Sequence, residues 1–408
     1  MSRIRIKNFG PIREGYLENE GWLDIRKVTV FIGNQGSGKS TVAKVISTLS
    51  WLEKAINRGD VDYRKISYQV FWALFKFQRI NNYFSDKTEI EYDGDKIKIT
   101  YRKGLDYPEI EVKISNEYHV PQIMYVPTER NFLSVIENAY GIRNLPDTLY
   151  TFAEELRKGL EELKGRLLPL PVGDMNFKYQ EETKHSYLVG TDFELDLFES
   201  SSGYQSLVPL YLVTKFLSDK LQREKSTLRE HLSVEQSLRR NKEIADVMLN
   251  ETLSLADKNL KVKEIDSRYI NTCFINIIEE PEQNLFPISQ QKILNSLLGF
   301  NNANDGNKLI MTTHSPYLIN YLILAVKAGI LKDRIQTEEL ENKLAEIVPL
   351  NATIHPDDLI IYELDEKKGL IKNLETYNDL PSDENELNER LGESNELFAR
   401  LLEIEQKL

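Results

Sequence analysis

An α/β fold, with an antiparallel β subdomain and a helical insertion added to it, is predicted by three observations. Residues 27–52 read as a buried strand, a glycine-rich turn and a helix in immediate succession. Two later apolar runs, 274–278 and 308–313, are hydrophobic enough for strands buried inside a parallel sheet. Residues 88–115 alternate apolar and polar side chains around an Asp-Gly turn, the pattern of antiparallel hairpins.

The first segment carries Gly33-Asn34-Gln35-Gly36-Ser37-Gly38-Lys39-Ser40-Thr41, which fits G-x-x-x-x-G-K-[ST], the phosphate-cradling loop. Lys27-Val28-Thr29-Val30-Phe31-Ile32 before it is β-branched and apolar. Val42, Val45, Ile46 and Leu49 after it recur at helical spacing, as on a helix packed against a sheet. In that order, backbone N–H groups of the loop and the helix N-terminus point at phosphates. Lys39 brings positive charge to the β- and γ-phosphates, and the Ser40 hydroxyl is a Mg²⁺ ligand. Residues 33–41 are therefore the predicted nucleotide-binding set.

Composition narrows the setting. The chain has 408 residues, 41% of them hydrophobic, enough for a large core. Its net charge of −12 argues against a surface built to hold nucleic-acid phosphates. No run approaches the roughly 18 apolar residues that cross a bilayer. The first ten residues lack the apolar centre of a signal peptide. Cys273 is the single cysteine, which excludes an intramolecular disulfide or a Cys-x-x-Cys hook. A soluble, cytoplasmic protein is expected.

In chain order, residues 3–9 alternate as a half-buried first strand, closed by Gly10-Pro11. Residues 61–84 are predicted helical, with Tyr68, Phe71, Trp72, Phe75 and Tyr83 available either for the core or for stacking on bases. Strands follow at 88–92, 96–102 and 108–115. Residues 123–126 form a short strand ended by Pro127, and Thr128 is the expected N-cap of a following helix. A helix at 151–167 is stopped by Pro169 and Pro171, and 177–197 folds as a hairpin turning near Gly190-Thr191-Asp192. Residues 219–268 are charged and free of glycine and proline, which predicts a long helix or a helical pair. The acidic tail, 376–408, ends in a helix over 385–408.

A phosphate loop identifies a ligand, not a class. The class comes from what the two buried runs deliver at their C-terminal ends, where ligands bind in an open α/β sheet. The run 274–278 delivers Glu279-Glu280, which can divide labour: Glu279 orients Mg²⁺ through water and Glu280 polarises the attacking water. The run 308–313 delivers His314-Ser315-Pro316, and a histidine there can bond the γ-phosphate or position the water.

With Glu279-Glu280-Pro281-Glu282-Gln283-Asn284-Leu285-Phe286-Pro287 and Thr312-Thr313-His314-Ser315-Pro316 following the loop, the chain resembles the ABC-type ATPase heads of the SMC and RecF group. Within that group it is similar to the AAA-family ATPases related to the overcoming-lysogenization-defect proteins. The resemblance implies a P-loop NTPase fold of the ABC head kind, ATP and Mg²⁺ as ligands, and ATP hydrolysis. Glu280 would be the catalytic glutamate, 281–287 the D-loop and His314 the switch histidine. It also implies a signature motif, for which Ser202, Gly203 and Gln205 match while Ser201 and Tyr204 depart. A serine hydroxyl and glycine amides at a helix start form a second anion site. In family members that site serves nucleotide held by another subunit.

Three departures stand out. Glu279 replaces the Walker B aspartate, and the Gln-loop residue is open between Gln78 and Gln122. The insertion 219–268 is too short for a DNA-spanning coiled coil at ~1.5 Å per residue. Third, the overcoming-lysogenization-defect nucleases add a Toprim domain. Here Asp357, Asp358, Glu363, Asp365 and Glu366 flank an apolar run, 359–364, that reads as a closing strand, so the nuclease is not expected in this chain.

The implied division is 1–60 for the first part of the ATPase core, 61–198 for a β/helical lobe, 199–218 for the signature motif and helix, 219–268 for the insertion, 269–375 for the rest of the core and 376–408 for the acidic tail. Two readings of function follow. One is a switch in which ATP is sandwiched between two copies and a separately encoded effector receives the output, as in bacterial anti-phage systems. The other is a RecF-like DNA clamp, for which Arg239, Arg240 and Lys242, with Arg223, Lys225 and Arg229, supply the basic cluster. A nucleotide-gated scaffold with little turnover is a third.

Overall fold

The computed structural model describes residues 2–406 except 103–104, 106, 114–117, 137–143 and 225–231. The chain begins with β1 (Arg3–Lys7), β2 (Gly15–Tyr16), β3 (Leu23–Asp24), β4 (Val28–Gly33) and α1 (Lys39–Asn57). Next come α2 (Tyr68–Phe77), β5 (Glu89–Asp93), β6 (Ile97–Tyr101), β7 (Glu109–Val112), β8 (Pro121–Val126) and α3 (Asp147–Leu163). Short strands β9 (Leu168–Pro169), β10 (Asn176–Gln180), β11 (His185–Val189) and β12 (Glu194–Asp196) lead to α4 (Ser202–Glu224), α5 (Val234–Leu249) and α6 (Leu255–Ser267). After them run β13 (Cys273–Glu279), α7 (Pro287–Asn302), β14 (Lys308–Thr312), α8 (Pro316–Lys332) and α9 (Glu338–Ile347). The last elements are β15 (Leu359–Asp365), β16 (Leu370–Asn373), β17 (Thr376–Tyr377), β18 (Leu380–Pro381) and α10 (Glu386–Glu405).

The α/β class is what the structure has. Its central sheet has seven strands in the order β2-β16-β15-β4-β14-β13-β8, and the five from β15 to β8 are mutually parallel. The run 359–364 is thus a strand of the central sheet, β15, lying directly beside β4. Alternation along β4 divides the core. Val28, Val30 and Ile32 pack with side chains of α3, α4, α7 and α8 on one face. Phe31 packs on the other with Val42, Val45, Ile46 and Leu49 of α1. Each of these side chains is fully buried, worth about 1.5–3 kcal/mol apiece.

A five-stranded antiparallel sheet, β3-β1-β5-β6-β7, covers the outer side of α1. The expected hairpin and its third strand are present, and β1 joins them instead of standing alone. In a second antiparallel sheet, β12-β11-β10-β9, residues 177–197 make two turns where one hairpin was expected, because residues 181–184 also reverse the chain.

The helical expectations need adjustment at their ends. Within 61–84 only α2 is α-helical; Ser67 caps its start, and Arg79 in the left-handed region (φ 59°) follows its end. Phe71 and Phe75 are fully buried and join Phe84 and Phe9 in an edge-to-face cluster, so these rings are core. The helix expected at 151–167 ends at Leu163, where Lys164 (φ 48°) and Gly165 turn left-handed before either proline is reached. Thr128 does not cap a helix. Pro127 holds the cap position of a 3-10 helix, Thr128–Ser134. The insertion contains a helical pair, α5 and α6, with capping Ser233 and Ser254.

Glu53 joins α1 to the antiparallel sheet. Its carboxylate accepts hydrogen bonds from Tyr92 Oη (2.7 Å), Lys96 N (2.6 Å) and Ile97 N (3.3 Å), closing the β5–β6 turn onto the helix. Burial raises this carboxyl above its ordinary value. Truncating it strands three donors out of water. Glu53→Ala is therefore expected to cost about 2–4 kcal/mol in urea unfolding; a loss below about 0.5 kcal/mol would show that water satisfies those donors equally well.

Candidate nucleotide-binding site

The loop between β4 and α1 is shaped by its glycines. Gly33 has φ 135°, and a Cβ there would lie 2.4 Å from the Leu364 carbonyl of β15. Gly38 has φ 104° and sits against Ile12, so its neighbour also excludes a side chain. Lys39 opens α1 buried, its Nζ donating to Gly33 O (2.8 Å) and Asn34 O (2.9 Å). Burial pushes its pKa down to about 8, against the charges of Glu280, Glu282, Glu386 and Glu279. A buried cation that is held by two carbonyls at the N-terminus of a helix favours an incoming polyanion. Ser37 Oγ, also buried, has no hydrogen-bond partner among the described residues. Ser40 and Thr41 lie in the first turn of α1, and Asn34 Oδ1 accepts from Gln35 N.

Strand order supplies the rest. β14 lies between β4 and β13, so residues leaving the C-terminal ends of these strands arrive side by side. Glu279 is the last residue of β13; it is buried and accepts a hydrogen bond from Tyr125 Oη of β8. Glu280 turns left-handed (φ 45°), its N–H bonded to Thr312 O (2.9 Å). His314 Nε2 lies 3.7 Å from Glu280 Oε1. Burial raises the Glu280 carboxyl, and the neighbouring Glu279 charge raises it further. Burial and the charge of Lys39 lower His314, which leaves it neutral at neutral pH and able both to donate and to accept. The structure thus brings Lys39, Glu279, Glu280 and His314 together at one sheet edge.

Of two further charged residues here, Glu282 entered the sequence reading only within the D-loop, 281–287, and Arg130 carried no role in it. Glu282 Oε1 accepts from Thr313 Oγ1 and from His314 N, both at 2.8 Å, and so holds the backbone that presents the histidine. Its carboxylate is out of water although the residue as a whole is partly exposed, and Oε2 has no hydrogen-bond partner among the described residues. Arg130 is completely buried in the 3-10 helix after β8, its guanidinium bonded to main-chain carbonyls. Its only sequence signal was an arginine in the turn that follows a parallel strand.

The other predicted residues lie apart. Ser202 starts α4 and is exposed; Gly203 faces the carbonyl of Asn284, 2.9 Å from where its Cβ would be. Gln205 Nε2 donates to Phe198 O (2.8 Å) and Ser200 O (3.0 Å) within its own loop. No hydrogen bond or ion pair among the described residues joins these three to the phosphate loop. Neither Gln-loop candidate reaches the site. Gln78 is buried against Ser47 on the flank of α1, and Gln122 pairs with Asn271 at the opposite end of the sheet.

Residues 137–319 match a family model described as AAA ATPase domain. The matched stretch takes in α4, Glu279, Glu280 and His314 and stops short of the phosphate loop. No curated protein matches the sequence. Among solved structures, an SMC head domain from Thermotoga maritima aligns at 11% identity over 92% of this chain and 98% of that chain, with a TM-score of 0.39. A Smc head domain with an extended coiled coil, bound to the C-terminal domain of ScpA and derived from Pyrococcus furiosus, aligns at 9% identity. That alignment covers 98% of this chain and 100% of the other, with a TM-score of 0.40. A dimeric ATP-binding cassette in a post-hydrolysis state, bound to ADP and phosphate, aligns at 14% identity over 92% and 100% of the two chains, with a TM-score of 0.27.

Burial raises the Glu282 carboxyl above its ordinary value, and the Glu280 charge adds to the rise. The native state therefore holds this proton to higher pH than the unfolded chain does. Its stabilising contribution is complete below the ordinary carboxylate value and is lost as pH rises through the folded value. Glu282→Gln removes that loss. Its melting temperature relative to wild type should climb between about pH 4.5 and neutrality. A difference that stays flat across the range would place the carboxylate in contact with water.

Proposed function

We propose that the chain is an ATP-hydrolysing switch that pairs with a second copy around ATP and signals to a separate effector. The observation that carries this reading is the juxtaposition of His314 Nε2 and Glu280 Oε1, 3.7 Å apart, beside the buried Lys39 of the phosphate loop. The AAA ATPase match over residues 137–319 supports the ATPase class.

In this mechanism Lys39 exchanges its bonds to Gly33 O and Asn34 O for phosphate oxygens, while loop N–H groups take the rest. Glu280, its carboxyl raised above the ordinary value by burial, accepts the proton of the attacking water. Neutral His314 donates to the γ-phosphate and keeps the water in line. Ser40 and Glu279, a hydroxyl and a carboxylate, would hold Mg²⁺, to which hard oxygen donors are suited, and the ion would supply positive charge against the phosphates. Glu279 Oε1 accepts the hydrogen bond of Tyr125 Oη, which fixes the orientation of this carboxylate at the end of β13. Bond cleavage gives ADP and inorganic phosphate.

The position of Ser202, Gly203 and Gln205 supports the pairing. Ser202 is exposed and Gly203 and Gln205 are half-buried at the start of α4, and no hydrogen bond or ion pair among the described residues joins them to the phosphate loop of their own chain, which suits an anion site offered to a second copy. A cytoplasmic sensor with a nuclease or toxin partner, as in anti-phage systems, is the setting this switch fits by resemblance. The DNA clamp has less support. Arg239 pairs with Asp60, Arg240 with Asp266 and Arg223 with Glu162, so these cations are engaged within the chain. Lys225 and Arg229 lie outside the described residues.

Glu280→Gln is expected to keep ATP binding, to slow phosphate release by about 100-fold or more, and to accumulate as an ATP-dependent pair in light scattering. Lys39→Ala is expected to lose ATP binding in calorimetry while remaining folded. A Glu280→Gln protein that binds ATP yet stays monomeric overturns the sandwich. Wild-type protein with no phosphate release above background leaves only the nucleotide-gated scaffold.

A further inference from the structure

Arg130 is fully buried, and among the described residues each hydrogen bond that its guanidinium donates ends on a main-chain carbonyl. One acceptor, Pro127 O (3.2 Å), belongs to its own turn. Glu279 O (2.8 Å) and Glu280 O (2.6 Å) lie at and just past the end of β13, and Ser206 O (3.3 Å) belongs to the fifth residue of α4. Burying a guanidinium costs free energy that carbonyl bonds only partly return, and burial lowers its pKa to about 10. A forked, five-donor cation is the side chain that can bridge three chain segments at once.

What it bridges matters because Glu280 is left-handed (φ 45°), a strained state for a residue with a side chain, and that state sets where its carboxylate points. Thr312 O holds the Glu280 N–H at 2.9 Å, and Arg130 holds its carbonyl. A second tie runs in parallel: Ser206 Oγ donates to Gln283 Oε1 at 3.0 Å, in the turn after Glu280. The helix start that bears Ser202 and the peptide that bears Glu280 are therefore fastened together twice.

We propose that Arg130 is a positioning residue that locks the Glu280 backbone to the seat of α4, so that Glu280 is aimed only while the start of that helix is in place. This rests on the ATPase reading above. A copy that draws on Ser202 and Gly203 through its own nucleotide would then bear directly on the geometry of Glu280 across the shared guanidinium.

Arg130→Lys keeps the charge and loses the fork. Steady-state phosphate release is measured beside wild type and Glu280→Gln, with melting temperature and ATP-dependent pairing followed on the same samples. The expected result is a kcat at least 30-fold below wild type, a KM for ATP within threefold, and pairing retained. Gln283→Leu, which cuts only the second tie, should lower kcat by three- to tenfold with KM unchanged, and it serves if the lysine variant does not fold. A kcat within threefold of wild type in both variants overturns the proposal. So does a parallel fall of kcat, ATP binding and melting temperature, which marks a residue that only supports the fold. Wild type turning over no faster than Glu280→Gln removes the ATPase reading, and this proposal with it.

Discussion

The parallel register of β4, β14 and β13 is the constraint on which the rest depends. Phe31 pairs with Thr312, and Thr312 with Glu279, in one row across the sheet. Just beyond that row, one residue on in β14 and β13 and two in β4, the chain turns into three different structures: the Thr313-His314 peptide, the left-handed Glu280 and the phosphate loop. Because strand side chains alternate with period two, a slip of one residue would exchange the two faces of β13 or β14 and separate the groups that now meet. Register is enforced by burial on both faces, with Ile277, Ile310 and Phe31 in one core and Ile278, Met311 and Ile32 in the other. The same pairing that stabilises the sheet therefore aligns its chemistry.

Around that edge the molecule keeps several charges away from water. Lys39 leans on carbonyls of its own loop, Glu282 takes two donors from the Thr313-His314 peptide, and Arg130 spreads over four carbonyls. None of these arrangements is the cheapest way to fill a core, since an apolar side chain avoids the desolvation cost. They gather at one place because each fixes a backbone or a side chain that the proposed reaction needs. Glu53 is the counter-case on the far side of α1: a buried carboxylate that ties one sheet to a helix and touches nothing chemical.

Much of this was legible in residue order. Mostly apolar runs mark β4, β13 and β14, whose burial on both faces removes any need for alternation, and the Asp-Gly turn marks β5 and β6. Helix ends were legible less often. Lys164 and Arg79 adopt left-handed conformations that no local preference for lysine or arginine announces. Thr128 looked like a cap, yet Pro127 holds the cap position of a shorter 3-10 turn. The two glutamines weighed for the Gln loop fail for a plain reason: one lies on the flank of α1 and the other at the wrong end of β8.

Local pattern by itself determined the loop, the carboxylate pair and the histidine, because each is a short run whose chemistry depends on neighbours in sequence. It also determined that these runs are strands leading to turns. Only the tertiary structure decided that β14 lies between the other two, which places His314 beside Glu280. The same holds for Arg130 and Glu282, whose bonds cross 76 and 31 positions of sequence. Pairings of that reach are set by how strands are ordered in a sheet and by which polar groups lose their water together, and neither quantity is written in any one stretch of the chain.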